Sequence, residues 1–212
     1  MADCVGKTPI PLGILISGRG SNMRAIVEAV AEGRLGADVR VVISNRDDAP
    51  GLVWARAAGL DTLVVSHRDF ATRDAYDQAL VVALTSRGVH LVCLAGFMRL
   101  LGPTFCEAFP RGVLNVHPSL LPSFPGVDAQ AQALTHGVKV SGVTVHFVTP
   151  ELDAGPILHQ VSVPVRDDDT AETLSARILV EEHRAYPEAI QRVVDGHCRV
   201  EGRRVIRGAC DV

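Results

Sequence analysis

The segment Leu114-Asn-Val-His-Pro118 combines the residue types and spacing that most suggest chemistry. Because side chains alternate along a strand, Asn115 and His117 should project from the same side of it, and Pro118 should end the strand directly after the histidine. An amide and an imidazole at the carboxyl end of a strand can polarise a carbonyl group and move a proton. The alternative is that Asn115 caps a turn and His117 is a hydrogen-bonded structural histidine, and both interpretations stay open at this point.

A carboxylate that could act on this histidine follows farther along the chain. Asp153 lies between two β-rich runs, just ahead of Gly155-Pro156. A carboxylate beside an imidazole favours the charged ring, orients it and can order a water for a proton relay. An aspartate followed by Gly-Pro is also a common turn residue. The pairing of Asp153 with His117 is therefore a hypothesis that the fold must test.

Two glycines in Ser17-Gly-Arg-Gly-Ser-Asn22 separate the first predicted strand from the first predicted helix. Backbone N–H groups and the helix dipole can hold a phosphate at such a turn. Neither the full dinucleotide fingerprint nor the lysine-containing phosphate loop is present. The pattern favours anion binding without identifying the molecule. The alternative is that Ser21 or Asn22 caps the helix and the glycines only make the turn.

Short β-branched runs alternate with longer mixed segments in the first half of the chain. This order predicts a parallel sheet with helices on both faces. The predicted strands are Ile10–Ile16, Val39–Ser44, Thr62–Val65, His90–Ala95 and Gly112–Val116, and the predicted helices are Ser21–Glu32, Gly51–Ala58 and Thr72–Arg87.

The second half of the chain predicts a different strand arrangement. No helix fits between the β-rich runs 140–148 and 157–165, so that pair should be antiparallel and the sheet mixed. A long helix should cover 170–195, capped by Asp169 or Thr170 and kinked or ended at Pro187. Residues 198–206 should form a peripheral hairpin. We expect one α/β domain over residues 1–212, with a phosphate-binding half at about 10–110, a catalytic half at about 111–195, and a tail at 196–212.

Composition limits the class of protein. A net charge of −3 gives no global field that would attract nucleic acid or an anionic membrane, so an anionic ligand needs a local binding device. The longest apolar stretch carries His90 and Arg99 and is too short to span a bilayer. The start lacks a secretory signal, and the five scattered cysteines show no metal-like spacing, with Cys93 expected in the core. We expect a reduced, cytoplasmic protein without metal, membrane or nucleic-acid partner.

Six segments, taken in order, resemble one family. They are Ser17–Asn22, Ala95–Leu101, Leu114–Gly126, Val140–Val148, Glu151–Pro156 and Glu182–Pro187. Together they resemble the glycinamide ribonucleotide formyltransferases, which are folate-dependent enzymes of purine biosynthesis. Each segment alone is weak, but the ordered set is highly specific and covers most of the chain from about Leu12 to about Ile190.

The resemblance implies a formyltransferase fold, a Rossmann-like parallel half that continues into a mixed sheet. It also implies that the half at about 111–195 binds the folate as well as carrying the catalytic residues, and that a formyl group is transferred from 10-formyltetrahydrofolate to glycinamide ribonucleotide. We expect the protein to be a monomer or homodimer. Asn115, His117 and Asp153 fall on the family's catalytic trio. The remaining implied roles are phosphate binding by Gly20, Ser21 and Asn22, a second contact to the same substrate by Glu182, and folate binding by Arg73, Met98, Arg99, Leu100, Leu101 and Asn115.

Several of these residues could instead have purely structural roles. Met98, Leu100 and Leu101 could be core residues, and Arg73 could be a solvated helix arginine. His146 could face the active site or belong to the core. The chain also departs from the family pattern, with Asp128 where histidine is common and with Pro150 and Ala154 in the loop that carries Asp153.

Three rival functions differ in what they leave unexplained. A methionyl-tRNA formyltransferase normally adds a nucleic-acid-binding domain, for which this chain has no room, and a formyltetrahydrofolate hydrolase usually carries an N-terminal regulatory domain. A non-enzymatic nucleotide-binding module would leave Asn115, His117 and Asp153 unused.

Overall fold

The computed structural model describes residues 8–196 and 198–207. Nine strands and six α-helices follow one another, with a short 3₁₀ helix at His67–Asp69. The strands are β1 Ile10–Ile16, β2 Ala37–Ser44, β3 Thr62–Val64, β4 Leu91–Leu94, β5 Val113–His117, β6 Val140–Phe147, β7 Ile157–Pro164, β8 Cys198–Glu201 and β9 Arg204–Arg207. The helices are α1 Ser21–Ala31, α2 Pro50–Ala57, α3 Arg73–Thr85, α4 Pro103–Cys106, α5 Ala129–Thr135 and α6 Ala171–Val194.

All nine strands belong to one sheet, in the order β3-β2-β1-β4-β5-β6-β7-β9-β8. Strands β1 to β5 pair in parallel, whereas β6 pairs antiparallel with both β5 and β7. The predicted α/β class with a mixed sheet, including the antiparallel β6–β7 pair, is therefore confirmed. The tail hairpin joins this sheet, because β9 pairs in parallel with β7 at Ile157 and Arg204.

Hydrophobic side chains cover both faces of the sheet. Adjacent residues of β1 point to opposite sides, so that Ile14 belongs to one core cluster and Leu15 to the other. Helices α1 and α6 contribute to the first cluster, and α3 contributes Leu80 and Leu84 to the second. Cys93 is fully buried in the first cluster, which confirms that it is a core residue.

Helix α6 contradicts one sequence expectation. It continues through the buried Pro187 to Val194, so the proline does not end it. Its start follows the prediction, since the Thr170 side chain accepts a hydrogen bond from the N–H of Thr173 and the Thr173 side chain accepts one from the N–H of Thr170. The buried Tyr186 places its hydroxyl 3.0 Å from the carbonyl oxygen of Leu94 and 2.9 Å from that of Leu114, and so ties α6 to the ends of β4 and β5.

The strand order creates a natural ligand site. From β1 the chain adds β2 and β3 on one side and β4 and β5 on the other. Ligands in such sheets bind at the carboxyl ends of the strands where this reversal occurs.

No helix in the described part of the chain is both long and apolar enough to cross a membrane.

Candidate active site

The structure brings His117 and Asp153 into contact. His117 is the last residue of β5, and Asp153 lies in the loop between β6 and β7. The His117 Nδ1 atom lies 3.4 Å from Asp153 Oδ2, and the two side chains are only 6% and 10% exposed. The pairing that the sequence left as a hypothesis is therefore present in the fold.

The Asp153 carboxylate is held in place by the segment between β5 and α5. Its φ of 48° lies in the left-handed region, which is uncommon for a non-glycine residue. The Gly126 N–H donates to Asp153 Oδ2 at 2.8 Å. Backbone strain of this kind persists only where the surroundings impose it and is often found at functional sites.

The other nitrogen of the His117 ring contacts a backbone carbonyl. His117 Nε2 lies 2.8 Å from the carbonyl oxygen of Phe124, so this nitrogen carries a proton and donates it. Phe124 itself has a φ of 55°. Both ring nitrogens thus face oxygen acceptors, and the protonated ring can donate to both of them.

His146 joins the trio and orients its amide. It lies opposite Asn115 in the β5–β6 pair and is 2% exposed. Burial lowers its pKa, which keeps the ring neutral. Nδ1–H then donates to the Phe147 carbonyl oxygen at 3.0 Å, and Nε2 accepts from Asn115 Nδ2 at 3.2 Å.

This arrangement leaves the second N–H of the Asn115 amide available to a ligand. His146 Nε2 also lies 3.8 Å from Asp153 Oδ1. Of the two interpretations of His146, site and core, the structure therefore supports both. It is buried and it contacts Asn115 and Asp153 at the site.

Helix α1 begins without a side-chain cap. Gly20 precedes it with a φ of 71°, and no side chain satisfies the first turn. The alternative in which Ser21 or Asn22 caps the helix is therefore not observed. The backbone N–H groups in the first turn of this 11-residue helix can therefore donate hydrogen bonds to an anion.

Asn22 instead joins the segment Ser17–Asn22, called the phosphate loop here after its predicted role, to a residue far along the chain. Its Nδ2 donates to Glu182 Oε2 at 2.6 Å, although the two residues are 160 positions apart. Glu182 projects from α6 and is 8% exposed. Burial raises the pKa of this carboxyl group, and the hydrogen bond from Asn22 partly opposes the shift.

A cleft of about 930 Å³ opens beside the phosphate loop. It extends over the carboxyl ends of β2, β3 and β4 and is lined by Arg19, Arg46, Arg68 and Arg99, of which Arg46 is paired with Asp48 at 2.7 Å. The trio does not line this cleft and lies one strand farther along the same edge, beyond β4. Cleft and trio are therefore successive parts of one edge of the sheet.

The segment after β4 presents apolar side chains to solvent. Met98 is 68% exposed and Leu100 is 53% exposed, whereas Leu101 is 3% exposed and belongs to the core. The core alternative therefore holds for Leu101 alone. Met98 and Arg99 line the cleft, while Leu100 and Leu101 do not.

Arg73 lies at the start of α3 and is exposed. It is outside the cleft lining, yet a Cβ atom placed on Gly102 would lie 3.5 Å from Arg73 Nη2. The guanidinium therefore reaches the end of the 98–101 segment. Arg73 is thus an exposed helix arginine that lies close to Met98–Leu101, the segment predicted to bind folate.

The departures from the family pattern lie in two places near the trio. Asp128 precedes α5 with a φ of 56° and makes no side-chain cap. In the loop that carries Asp153, the Ala154 N–H reaches the Glu151 carbonyl oxygen at 3.5 Å. Within residues 8–196 and 198–207, no three or more His, Cys, Asp or Glu residues are grouped to hold a metal ion.

Comparison with known proteins gives a consistent result. A family profile described as formyl transferase matches residues 12–190. The phosphoribosylglycinamide formyltransferase of Escherichia coli (strain K12) is 42% identical over 187 residues, which cover 88% of this chain and 88% of the relative. A crystal structure of glycinamide ribonucleotide transformylase 1 from Symbiobacterium toebii aligns with a TM-score of 0.93 and 52% identity, covering 98% of each chain.

Some relatives are much longer than this chain. The trifunctional purine biosynthetic protein adenosine-3 of Homo sapiens is 44% identical over 190 residues, which is 90% of this chain but 19% of that protein. The similarity to such proteins therefore concerns one part of them.

Proposed function

Because the chain belongs to the formyl transferase family, we propose that it transfers the formyl group of 10-formyltetrahydrofolate to the amine of glycinamide ribonucleotide, a step of purine biosynthesis. The observation that carries this proposal is the contact of His117 with Asp153, beside Asn115, at the same sheet edge as an uncapped phosphate loop. The similarity to the Escherichia coli enzyme over 88% of both chains supports the choice of substrates.

The reaction needs oxyanion stabilisation and two proton movements. The substrate amine, as free base, attacks the formyl carbon, and the carbonyl oxygen gains negative charge in the tetrahedral intermediate. The free N–H of Asn115 and the protonated His117 stabilise this oxygen. Preorganised donors of this kind contribute about 100- to 1000-fold in rate. The carbon–N10 bond of the folate then breaks, N10 gains a proton and the attacking nitrogen loses one.

His117 mediates these proton movements with the help of Asp153. Its Nε2–H is held by the Phe124 carbonyl oxygen at 2.8 Å. A substrate oxygen or nitrogen must compete with that carbonyl for the proton. Asp153 stabilises the charged ring from the Nδ1 side. The nucleophile belongs to the substrate, so no covalent enzyme intermediate is needed.

The remaining predicted residues bind the two substrates. Gly20, Ser21 and Asn22 hold the phosphate at the start of α1, and Glu182 accepts from a hydroxyl of the same substrate. The folate lies against Met98, Arg99 and Leu100, with Arg73 at the far end of that segment. Leu101 supports the segment from the core. We expect the enzyme to work in the cytoplasm as a monomer or homodimer, without nucleic acid.

The test is an acceptor-dependence assay. The purified protein is supplied with 10-formyltetrahydrofolate, with and without glycinamide ribonucleotide, and folate release and formate are measured. We expect rapid turnover only with the amine acceptor, and a fall in kcat of about 100- to 1000-fold in Asn115→Ala. The exposed Asp167, which pairs with Lys139 far from the trio, provides the control variant Asp167→Asn.

Each rival function predicts another result. Formate release at the same rate without the amine would show a hydrolase. Transfer to methionyl-tRNA in preference to glycinamide ribonucleotide would show the tRNA enzyme. Folate-independent binding of nucleotides alone would show a non-enzymatic module.

A further inference from the structure

The exposed segment Met98–Leu101 is fixed at its two ends by polar side chains from elsewhere in the fold. Its central residues, Arg99 and Leu100, are exposed to solvent, and their side chains form no hydrogen bond with the described residues. At the first end, the Met98 N–H donates to Ser17 Oγ at 2.8 Å. At the second, the N–H of Gly102 donates to Asp77 Oδ2 at 2.6 Å.

Ser17 connects this segment to the phosphate side of the site. It follows β1, is 7% exposed, and its hydroxyl donates to Asn45 Oδ1 at 2.6 Å while accepting from Met98. The Ser17 N–H also donates to the Gly96 carbonyl oxygen at 3.1 Å. The start of the segment is thus attached by both backbone and side chain to the residue that opens the phosphate loop.

Asp77 holds the other end from α3. It is 1% exposed, and burial raises the pKa of its carboxyl group. Its second oxygen, Oδ1, is buried without a hydrogen-bond partner among the described residues. A buried carboxyl group with one unsatisfied oxygen costs stability. The hydrogen bond from the Gly102 N–H offsets part of this cost.

The fit at Gly102 is close. A Cβ atom there would lie 3.0 Å from Asp77 Oδ2, which is tighter than ordinary van der Waals contact. A larger residue at position 102 would therefore crowd the carboxylate that accepts the Gly102 N–H. Next to it, the side chain of Leu101 inserts into the core at 3% exposure. Both ends of the segment are therefore attached to the rest of the fold, while the side chains of Met98 and Leu100 stay exposed to meet a ligand.

We propose that Ser17 and Asp77 are positioning residues that hold Met98–Leu101 in the shape that receives the folate. This rests on the proposed function, which assigns that segment to the folate. A surface that is already ordered loses less conformational entropy when its ligand binds. Loss of either anchor therefore weakens folate binding, and loss of Asp77, which lies away from the phosphate loop, leaves binding of the phosphorylated amine unchanged.

The variants are chosen to separate the hydrogen bond from the carboxylate. Asp77→Ala removes the acceptor for the Gly102 N–H, whereas Asp77→Asn keeps an acceptor oxygen in the same place. Ser17→Ala removes the anchor at the other end. Asp74→Ala is the matched control, because Asp74 lies on the same helix and bonds to Thr104 at 3.1 Å, outside the segment.

The primary measurement is the Kd of tetrahydrofolate, by calorimetry under reducing conditions, for each variant. We expect a rise of about tenfold in Asp77→Ala and Ser17→Ala. Asp77→Asn and Asp74→Ala should stay within about twofold of the unmodified protein. The Kd of glycinamide ribonucleotide should stay within the same range in Asp77→Ala. Amide hydrogen exchange of the 96–102 peptide, measured without ligand, should accelerate only in the variants that lose an anchor.

Three outcomes overturn the proposal. Faster exchange with an unchanged folate Kd would make the anchors merely structural, and an equal loss of affinity for both substrates would show a general defect. Absence of any folate binding to the unmodified protein would also overturn it. Folate binding that follows the expected pattern without formyl transfer would support the positioning role while contradicting the proposed function.

Discussion

At the scale of single residues, the site depends on how a neutral histidine and a carboxylate fix two reactive groups. His146 uses Nδ1–H for the Phe147 carbonyl and Nε2 for the Asn115 amide. Asp153 is fixed by the Gly126 N–H and faces His117. Asn115 and His117, the two groups proposed to face the substrate, are therefore each oriented by a neighbouring side chain.

His146→Leu should lower kcat without abolishing folding, because it removes the acceptor that orients Asn115. A misplaced catalytic group costs about 100-fold in rate, so we expect a fall of about 10- to 100-fold in single-turnover measurements. His146→Gln keeps an acceptor and should recover part of the loss. His90→Leu, at the exposed amino end of β4, is the control. An unchanged rate in His146→Leu would show that Asn115 needs no such partner.

Glu182→Gln should change the pH dependence of stability in a defined direction. Burial raises the pKa of Glu182 above its ordinary value of 4.5, so the folded protein binds this proton more tightly than the unfolded chain does. The stabilisation is complete below pH 4.5 and is lost as the pH rises through the folded pKa. The glutamine side chain of the variant can still accept a hydrogen bond from Asn22 Nδ2, and it carries no charge at any pH.

The free energy of unfolding of Glu182→Gln relative to the unmodified protein should therefore increase between about pH 4 and about pH 7. Urea denaturation at a series of pH values measures it. A difference that stays constant, or that decreases with pH, would contradict the burial effect. Catalysis should be weaker in the same variant, because the substrate loses a charged contact.

At the scale of elements, the phosphate loop depends on the helix behind it. The Gly51 N–H donates to the Gly18 carbonyl oxygen at 3.0 Å. A Cβ atom on Gly51 would lie 2.9 Å from that oxygen and 2.6 Å from Ile16 Cδ1. The start of α2 can approach the loop only because this residue is glycine.

Gly51→Ala should push the loop away from α2. We expect a loss of about 1–3 kcal/mol in the free energy of unfolding, typical of overpacking, and a higher KM for the phosphorylated amine. Gly18→Ala is the matched control for stability, since a Cβ atom there would have no neighbour within 4 Å. Equal stability of Gly51→Ala and Gly18→Ala would contradict the close approach.

Sequence patterns predicted the main elements because hydrophobic periodicity is a local property. β1 has the predicted bounds, and the β6–β7 pair is antiparallel as expected. The short helices α4 and α5 and the 3₁₀ turn at His67–Asp69 were not predicted, because three to seven residues show little periodicity. Of the two effects expected of Pro187, an end to the helix is not observed, because packing of the long α6 outweighs the local cost of a proline.

The candidate site could be predicted in part from strand geometry. The period of a strand places Asn115 and His117 together, but nothing local says that Asp153 reaches His117 or that Asn22 reaches Glu182. Those contacts depend on sheet order and on a hydrogen bond across 160 positions. The anchoring roles of Ser17 and Asp77 were missed for the same reason, since each acts on a segment that is distant in sequence.

At the scale of the whole molecule, one sheet positions most groups of the proposed site along a single edge, and helices α3 and α6 add Arg73 and Glu182. The phosphate loop follows β1, the folate segment follows β4, and the trio lies on β5 and in the β6–β7 loop. The tail hairpin lies beyond β7, at the other side of the trio from the cleft. The sheet therefore positions the site from β1 to β7, and the hairpin extends it.

Removal of the tail should leave the chemistry intact. β9 pairs with β7 through Ile157 and Arg204, and the family match ends at residue 190. A chain that stops at Gly196 should keep its kcat, and its Tm should fall by about 2–4 °C for each kcal/mol lost. Calorimetry and turnover measure the two effects. A tenfold loss of kcat would show that the hairpin supports the site.

The central claim is that the formyl carbon moves directly to the amine. It is tested most directly by following 10-formyltetrahydrofolate labelled with ¹³C in the formyl group, with the unmodified protein and glycinamide ribonucleotide, by NMR. The account predicts that the label appears on the nitrogen of the amine in proportion to the tetrahydrofolate formed, and that Asn115→Ala slows both together. Label that appears as formate, at a rate that does not depend on the amine, would contradict it.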